Sequence, residues 1–128
     1  MKKTKVKWLK EPQKHDYQAA ESYLGLIMEP RAAKNLAEQL ESAGITELPA
    51  KDIFRASGVS LLGTSNSHVE KDKARILLNE ELSPLLLFRD TNRGMLIIAD
   101  GYHRLCAVYT FDEEAMIPCK IVGLNKRR

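Results

Sequence analysis

The chain has 128 residues, of which 44% are apolar and 29% are charged, and its formal net charge is +3. This length allows one domain with a single modest core. The composition is that of an ordinary soluble protein, and its mild excess of Lys and Arg favours anionic ligands without requiring nucleic acid. The longest apolar runs, such as 85–88, are far too short to cross a bilayer, and residues 1–10 lack the apolar region of a signal peptide. We therefore expect a cytoplasmic location and no membrane contact.

Both ends of the chain are basic. Residues 1–15 include five lysines within the first ten positions, which predicts a solvated basic arm, with contact to a polyanion as the alternative. A single domain is then predicted over residues 16–128, and the basic residues at 126–128 are interpreted like the arm. Cys106 and Cys119 have no CxxC spacing, so we expect two small core residues in a reducing compartment.

Two helices are predicted next, before residue 45. Asp16 is the predicted N-cap of the first, and Pro30 begins the second at the position where a missing N–H costs least. Gly44 is predicted to end the second helix. We expect the pair to cover one face of a sheet, with a protein-binding surface as the alternative. The apolar stripes are Tyr17, Ala20, Leu24 and Ile27 in the first helix, and Ala33, Leu36, Ala37 and Leu40 in the second.

The middle of the chain alternates short elements with turns. A polar segment over 63–68 predicts either a turn that caps the following helix or one wall of a ligand pocket. Asn66 and His68 are its candidate ligand-binding residues. The remaining elements predicted here are a strand over 46–50, a short helix over 51–57 stopped by Gly58, and a helix over 69–79.

The last third predicts antiparallel strands over 85–88 and 95–98, joined by a turn at 90–94. A helix from Tyr102 and a final strand over 117–122, with Pro118 near its start or on an edge, complete the chain. The predicted fold is α+β, with a small mixed sheet flanked by helices.

The segment around residues 96–109 predicts a strand, a sharp turn and a helix in direct succession. The first N–H groups of a helix lack intrahelical partners and lie at the positive end of its dipole, which favours an anion there. Gly101 allows close approach of a ligand, and Arg104 can bind a phosphate through two hydrogen bonds. His103 can move a proton near neutral pH. This turn is therefore a candidate phosphate or nucleotide site.

Asp100 is the residue that does not fit a simple phosphate site, because a carboxylate repels phosphate. It fits if it caps the helix, receives a proton or holds Mg²⁺. A purely structural interpretation stays open as well. In that interpretation Asp100 only caps the helix, His103 packs, and Arg104 pairs with an acidic residue such as Asp112 or Glu113.

The segment Asp100-Gly101-Tyr102-His103-Arg104, its helix with Cys106-Ala107, and the closing Ile117-Pro118 together resemble the ParB N-terminal and sulfiredoxin superfamily. The segment 83–89 is similar to the strand that precedes the family's Gly-x-x-Arg turn. The match covers about residues 83–122. Tyr102 stands where sulfiredoxins have their catalytic cysteine, and the turn looks closest to that of archaeal free serine kinases.

The resemblance implies a ParB/sulfiredoxin-like domain that binds a nucleoside di- or triphosphate with Mg²⁺, or another phosphorylated small molecule, and that hydrolyses or transfers its phosphate. It implies catalytic roles for Asp100 and His103. Gly101, Tyr102, His103 and Arg104 would be the phosphate-binding residues of the turn. Sequence-specific DNA binding is not expected, because ParB proteins use a helix-turn-helix domain after this module. The alternative function is a noncatalytic regulatory or interaction module that meets a protein partner or forms a homodimer.

Overall fold

The computed structural model describes residues 5–63 and 66–123, which form five helices and six strands. The helices are α1 (Lys14–Ile27), α2 (Pro30–Ser42), α3 (Ala50–Ser57), α4 (Ser67–Leu77) and α5 (Tyr102–Phe111). The strands are β1 (Lys7–Trp8), β2 (Thr46–Pro49), β3 (Glu81–Leu82), β4 (Leu85–Asp90), β5 (Met95–Asp100) and β6 (Met116–Gly123).

Four strands form a mixed sheet in the order β2-β6-β4-β5. The pairs β2–β6 and β4–β5 are antiparallel, whereas β4 and β6 run parallel. The two very short strands β1 and β3 pair in parallel outside this sheet. The predicted α+β class with a small mixed sheet flanked by helices is confirmed.

Side chains of the neighbouring apolar strands β4 and β5 alternate between two cores, as the period of two in a strand requires. In β4, Leu85 and Leu87 pack with α3, α4 and α5, while Leu86 and Phe88 pack with α1 and α2. The prediction that α1 and α2 cover one face of the sheet is therefore confirmed. Because helices lie on both faces, the strands are apolar throughout rather than alternating with polar residues.

The N-terminal part differs from the sequence prediction in two respects. Asp16 is not the N-cap of α1: the helix begins at Lys14, and Asp16 is a buried residue of its first turn whose Oδ2 accepts a hydrogen bond from the Gln13 amide at 3.0 Å. The stretch interpreted as a solvated arm contributes strand β1, and the Leu9 amide donates to the Leu82 carbonyl at 2.8 Å. Residues 1–4 and 124–128, which include the rest of both basic ends, lie outside the described residues.

Both cysteines are buried and free, which confirms the prediction of core positions. Burial raises the pKa of the Cys119 thiol to about 12, so this side chain stays protonated and acts as a small apolar group. Within the described ranges, no helix has the length and apolar character needed to cross a membrane.

Candidate functional site

The site is built on the turn between β5 and α5. Gly101 is the N-cap of α5 and adopts φ 110°, a left-handed conformation that glycine adopts without strain. Its carbonyl accepts the first hydrogen bond of the helix, from the Leu105 amide at 2.9 Å. A Cβ at this position would lie 2.7 Å from the Leu85 side chain and 3.0 Å from Arg104 Nη2. The close packing of strand, turn and helix therefore requires glycine.

Arg104 is held by the last residue of β5. Its Nη2 donates to Asp100 Oδ2 at 3.1 Å and to the Pro84 carbonyl at 3.3 Å. The two side chains are only 16% and 17% exposed, and Arg104 Nε is buried without a hydrogen-bond partner in the described part of the chain. The interpretation that Asp112 or Glu113 pairs with Arg104 is wrong, as is the one in which Asp100 caps α5. Asp100 instead orients the guanidinium group.

A cavity of about 280 Å³ opens at the start of α5. We call it the α5 cavity. Five of its residues are basic, and they surround two carboxylates. It adjoins a cleft of about 650 Å³ along β5, which shares residues 100–103, and a polar cavity of about 840 Å³, which shares Arg75 and Arg104. The α5 cavity is lined by His68, Lys71, Asp72, Arg75, Asp100, Gly101, Tyr102, His103 and Arg104.

Two histidines from different helices meet at this cavity. The rings of His68 and His103 lie 4.8 Å apart between centroids, and the His103 ring also packs 5.6 Å from that of Tyr102. Burial, together with the charges of His68 and Arg104, lowers the pKa of His103 below its usual 6.5, although Asp72 opposes the shift. His103 is therefore neutral at pH 7 and can accept a proton.

Of the two candidate ligand-binding residues in the polar segment 63–68, one lines the α5 cavity. His68 lines it, as predicted, whereas Asn66 does not. Asn66 Oδ1 caps α4 by accepting hydrogen bonds from the His68 and Val69 amides at 2.9 and 3.1 Å. Of the two predicted roles of this segment, Asn66 has the helix-capping one and His68 forms part of the pocket wall. Thr64 and Ser65 lie outside the described residues.

Three lining residues of α4 were not predicted as site residues: Lys71, Asp72 and Arg75. The most informative is Asp72, which is only 8% exposed. Burial raises the pKa of its carboxyl group, while the charges of Arg104, Arg75, His103 and His68 act in the opposite direction. The position of Asp72 in the sequence could have indicated its burial, because it lies at helical spacing from Val69 and Ile76. All three residues are buried.

The pKa of the Asp100 carboxyl group is shifted in the same direction as that of Asp72. Burial raises the pKa of its carboxyl group above the usual 3.8, and the charge and hydrogen bond of Arg104 limit that rise. The α5 cavity thus combines fixed cationic groups, the amides at the start of a helix, a neutral histidine and two carboxylates in a partly desolvated space. This arrangement can bind an oxyanion and move a proton.

The stability of the protein is expected to fall when the pH is lowered from about 7.5 to about 5.5, and His103→Gln is expected to reduce that fall. Because the pKa of His103 is lower in the folded state, the unfolded state binds the proton more strongly. The stabilising contribution of neutral His103 is fully present above pH 6.5, its pKa in the unfolded state. This contribution is lost as the pH falls through the lower pKa of the folded state. Urea unfolding of wild type and His103→Gln at several pH values measures it. Parallel pH profiles for wild type and His103→Gln would contradict the prediction.

The chain matches no protein-family model, no curated protein and no solved structure in comparisons with each. The resemblance to the ParB and sulfiredoxin superfamily therefore stays a prediction, and the function must be argued from the α5 cavity itself.

Proposed function

We propose that this protein binds a phosphorylated small molecule in the α5 cavity, with a nucleoside di- or triphosphate as the leading ligand class. One observation supports the proposal above all: five basic side chains line the α5 cavity at the first turn of α5. They are Lys71, Arg75, Arg104, His68 and His103. Helix N-termini favour anions, and guanidinium groups match the geometry of phosphate oxygens.

Each predicted residue of the turn has a role in this proposal. Gly101 keeps the backbone free of a side chain, and the amides of residues 102–104 point along the start of α5 toward a phosphate oxygen. Arg104 is already oriented by Asp100 before a ligand arrives, which reduces the entropy lost on binding. The α5 cavity suits a phosphate group, and the adjoining cleft of about 650 Å³ has room for a nucleoside.

Hydrolysis or transfer of the phosphoryl group is the second part of the proposal. Such a reaction needs charge neutralisation, in-line positioning and a proton acceptor. Neutral His103 is the acceptor in this proposal, for a proton from water or from an alcohol. Mg²⁺ that accompanies a nucleotide needs only one or two protein carboxylates, and Asp100 would supply one of them. Within the described part of the chain, no group of three or more His, Cys, Asp or Glu residues is placed to hold a metal ion by itself.

A thermal-shift panel of nucleoside di- and triphosphates, with and without Mg²⁺, tests the proposal. A ligand at about 100 times its Kd should stabilise the folded state by about 2.7 kcal/mol. Lys71→Ala should weaken the bound nucleotide about two- to fivefold, the range expected for one exposed charge. Lys34→Ala is the matched control, because Lys34 is equally an exposed lysine on a helix but lies on α2. The proposal fails if no nucleotide raises the melting temperature.

A second candidate function is a noncatalytic interaction module. The end of α1 supports it, because Leu26 is 83% exposed and Tyr23 is 44% exposed, next to exposed Ile27. Tyr17 and Met28 do not add to this surface, since both are partly buried against the core beneath α1 and α2. The apolar surface that is left consists of adjacent side chains at the C-terminal end of α1.

Leu26→Glu is expected to change the free energy of unfolding by less than about 0.5 kcal/mol, because the side chain is almost fully in water. If this surface joins two copies of the chain, the wild type should form dimers in sedimentation analysis and the variant should remain monomeric. A wild type that stays monomeric at high concentration would contradict self-association through α1. The nucleotide experiments are unaffected by this result, so the two functions are tested separately.

A further inference from the structure

We infer that Asp72 makes the α5 cavity selective for an oxyanion that carries a proton, such as a terminal phosphate, over sulfate and phosphodiesters. This inference rests on the proposed function and specifies the ligand further. A terminal phosphate group has an oxygen that can be protonated near neutral pH, whereas sulfate and a phosphodiester have no proton to offer there. The selectivity would follow from a single carboxylate placed among the cationic groups.

The position of Asp72 is the first observation. The side chain is only 11% exposed and lines the α5 cavity together with Arg75, His103 and Arg104. Its nearest ion-pair contact is long, at 3.6 Å from Oδ1 to Arg75 Nη1. No group in the described ranges 5–63 and 66–123 donates a hydrogen bond to its carboxylate within the normal distance. Its oxygens are therefore free to accept a hydrogen bond from a ligand in the cavity.

The contrast with Asp100 is the second observation. Asp100 Oδ2 accepts a hydrogen bond from Arg104 at 3.1 Å, so this oxygen is engaged with the guanidinium group. Asp72 interacts electrostatically with Arg104, Arg75, His103 and His68, but it orients none of them by a hydrogen bond. The i,i+3 ion pair with Arg75 is too long to be a hydrogen bond, so it leaves the carboxylate able to accept one. Buried carboxylates normally accept hydrogen bonds, so a ligand that donates one to Asp72 would complete its hydrogen bonding.

The chemistry of oxyanions supplies that donor. The second pKa of a phosphate monoester is about 6, so a proton on the phosphate is accessible near neutral pH. That O–H can donate to Asp72 while the other phosphate oxygens accept from Arg104, Arg75 and the helix amides. Sulfate brings only acceptor oxygens, so it would meet the Asp72 carboxylate with repulsion and no hydrogen bond. Specificity of this kind comes from a group that penalises the wrong ligand.

The test is a titration of the full chain with inorganic phosphate and with sulfate, followed by the amide NMR signals of residues 101–104. At about pH 6.5, near the second pKa of phosphate, wild type should bind phosphate at least about tenfold more tightly than sulfate. Asp72→Asn, which is nearly isosteric, should bind sulfate more tightly and reduce the preference to less than about threefold. Asp52→Asn, an exposed carboxylate on α3 outside the cavity, should keep the wild-type preference.

Each outcome decides the question. Equal affinity of the wild type for the two anions overturns the inference about Asp72 but leaves anion binding, and with it the proposed function, in place. A preference for phosphate that persists in folded Asp72→Asn also overturns the inference. Failure of both anions to shift the signals of residues 101–104 in wild type overturns the proposed function itself. The wild-type comparison needs no variant, so the inference remains testable even if Asp72→Asn does not fold.

Discussion

Gly101→Ala is expected to lower the free energy of unfolding by about 2–5 kcal/mol, combining the strain of a non-glycine residue at this backbone conformation with overpacking. The φ of 110° is costly for alanine, and the new Cβ would lie 2.7 Å from the Leu85 side chain. Leu85 is completely buried in the core between the sheet and α5 and has no room to move away. Urea unfolding followed by circular dichroism measures the loss.

Gly94→Ala is the matched control for this prediction. Gly94 also has a positive φ, of 67°, but a Cβ there would meet nothing within 4 Å. Gly94→Ala should therefore lower the free energy of unfolding only by the cost of a positive φ for alanine, about 1–2 kcal/mol. Equal losses for the two variants would show that Gly101 matters for its conformation alone and that the contact with Leu85 is relieved easily. If the contact with Leu85 is not relieved, Gly101→Ala should also weaken nucleotide binding, because the new Cβ would lie 3.0 Å from Arg104 Nη2 and displace it.

The fold was largely predictable because its elements have strong local signals. The continuous apolar runs in β4 and β5 and the Pro30 start of α2 are sequence features that specify strand or helix without knowledge of distant contacts. The pairing of β1 with β3 is different, since two-residue strands have no period and their pairing joins residues more than 70 positions apart. Long-range pairing of this kind is set by tertiary packing.

The candidate site was predictable where its residues are adjacent in sequence and not where they come from another helix. Residues 100–104 are connected by one turn, so their proximity follows from the chain itself. The Arg104–Asp100 pair could not be derived from helical spacing, because Asp100 is the last residue of β5 and only Arg104 lies on α5. Asp112 lies at the opposite end of α5 from Arg104. The charge of Asp72 by itself favours the solvent side of α4. Only the packing of α4 against α5 brings it into the cavity.

Arg104→Ala is expected to reduce nucleotide affinity by about 10- to 100-fold, since hydrogen bonds to a charged group contribute about 1.5–3 kcal/mol. The same variant should also lower the free energy of unfolding by about 2–3 kcal/mol, because Asp100 would keep a largely buried carboxylate without its partner. Thermal shift with and without nucleotide, combined with urea unfolding of the free protein, measures the two effects. Arg55→Ala is the control, since Arg55 forms an exposed i,i+3 pair with Asp52 away from the α5 cavity.

The double variant Asp100→Asn/Arg104→Ala separates folding from binding. Removal of the unpaired carboxylate should recover about 1–2 kcal/mol of the stability that Arg104→Ala loses, because a neutral amide costs less to bury than a charge. Nucleotide binding should stay weak, since the guanidinium group proposed to contact phosphate is still missing. A double variant that regains both stability and affinity would mean that Arg104 acts only by holding Asp100. The cationic contact with phosphate would then have to come from Arg75 or Lys71 on α4.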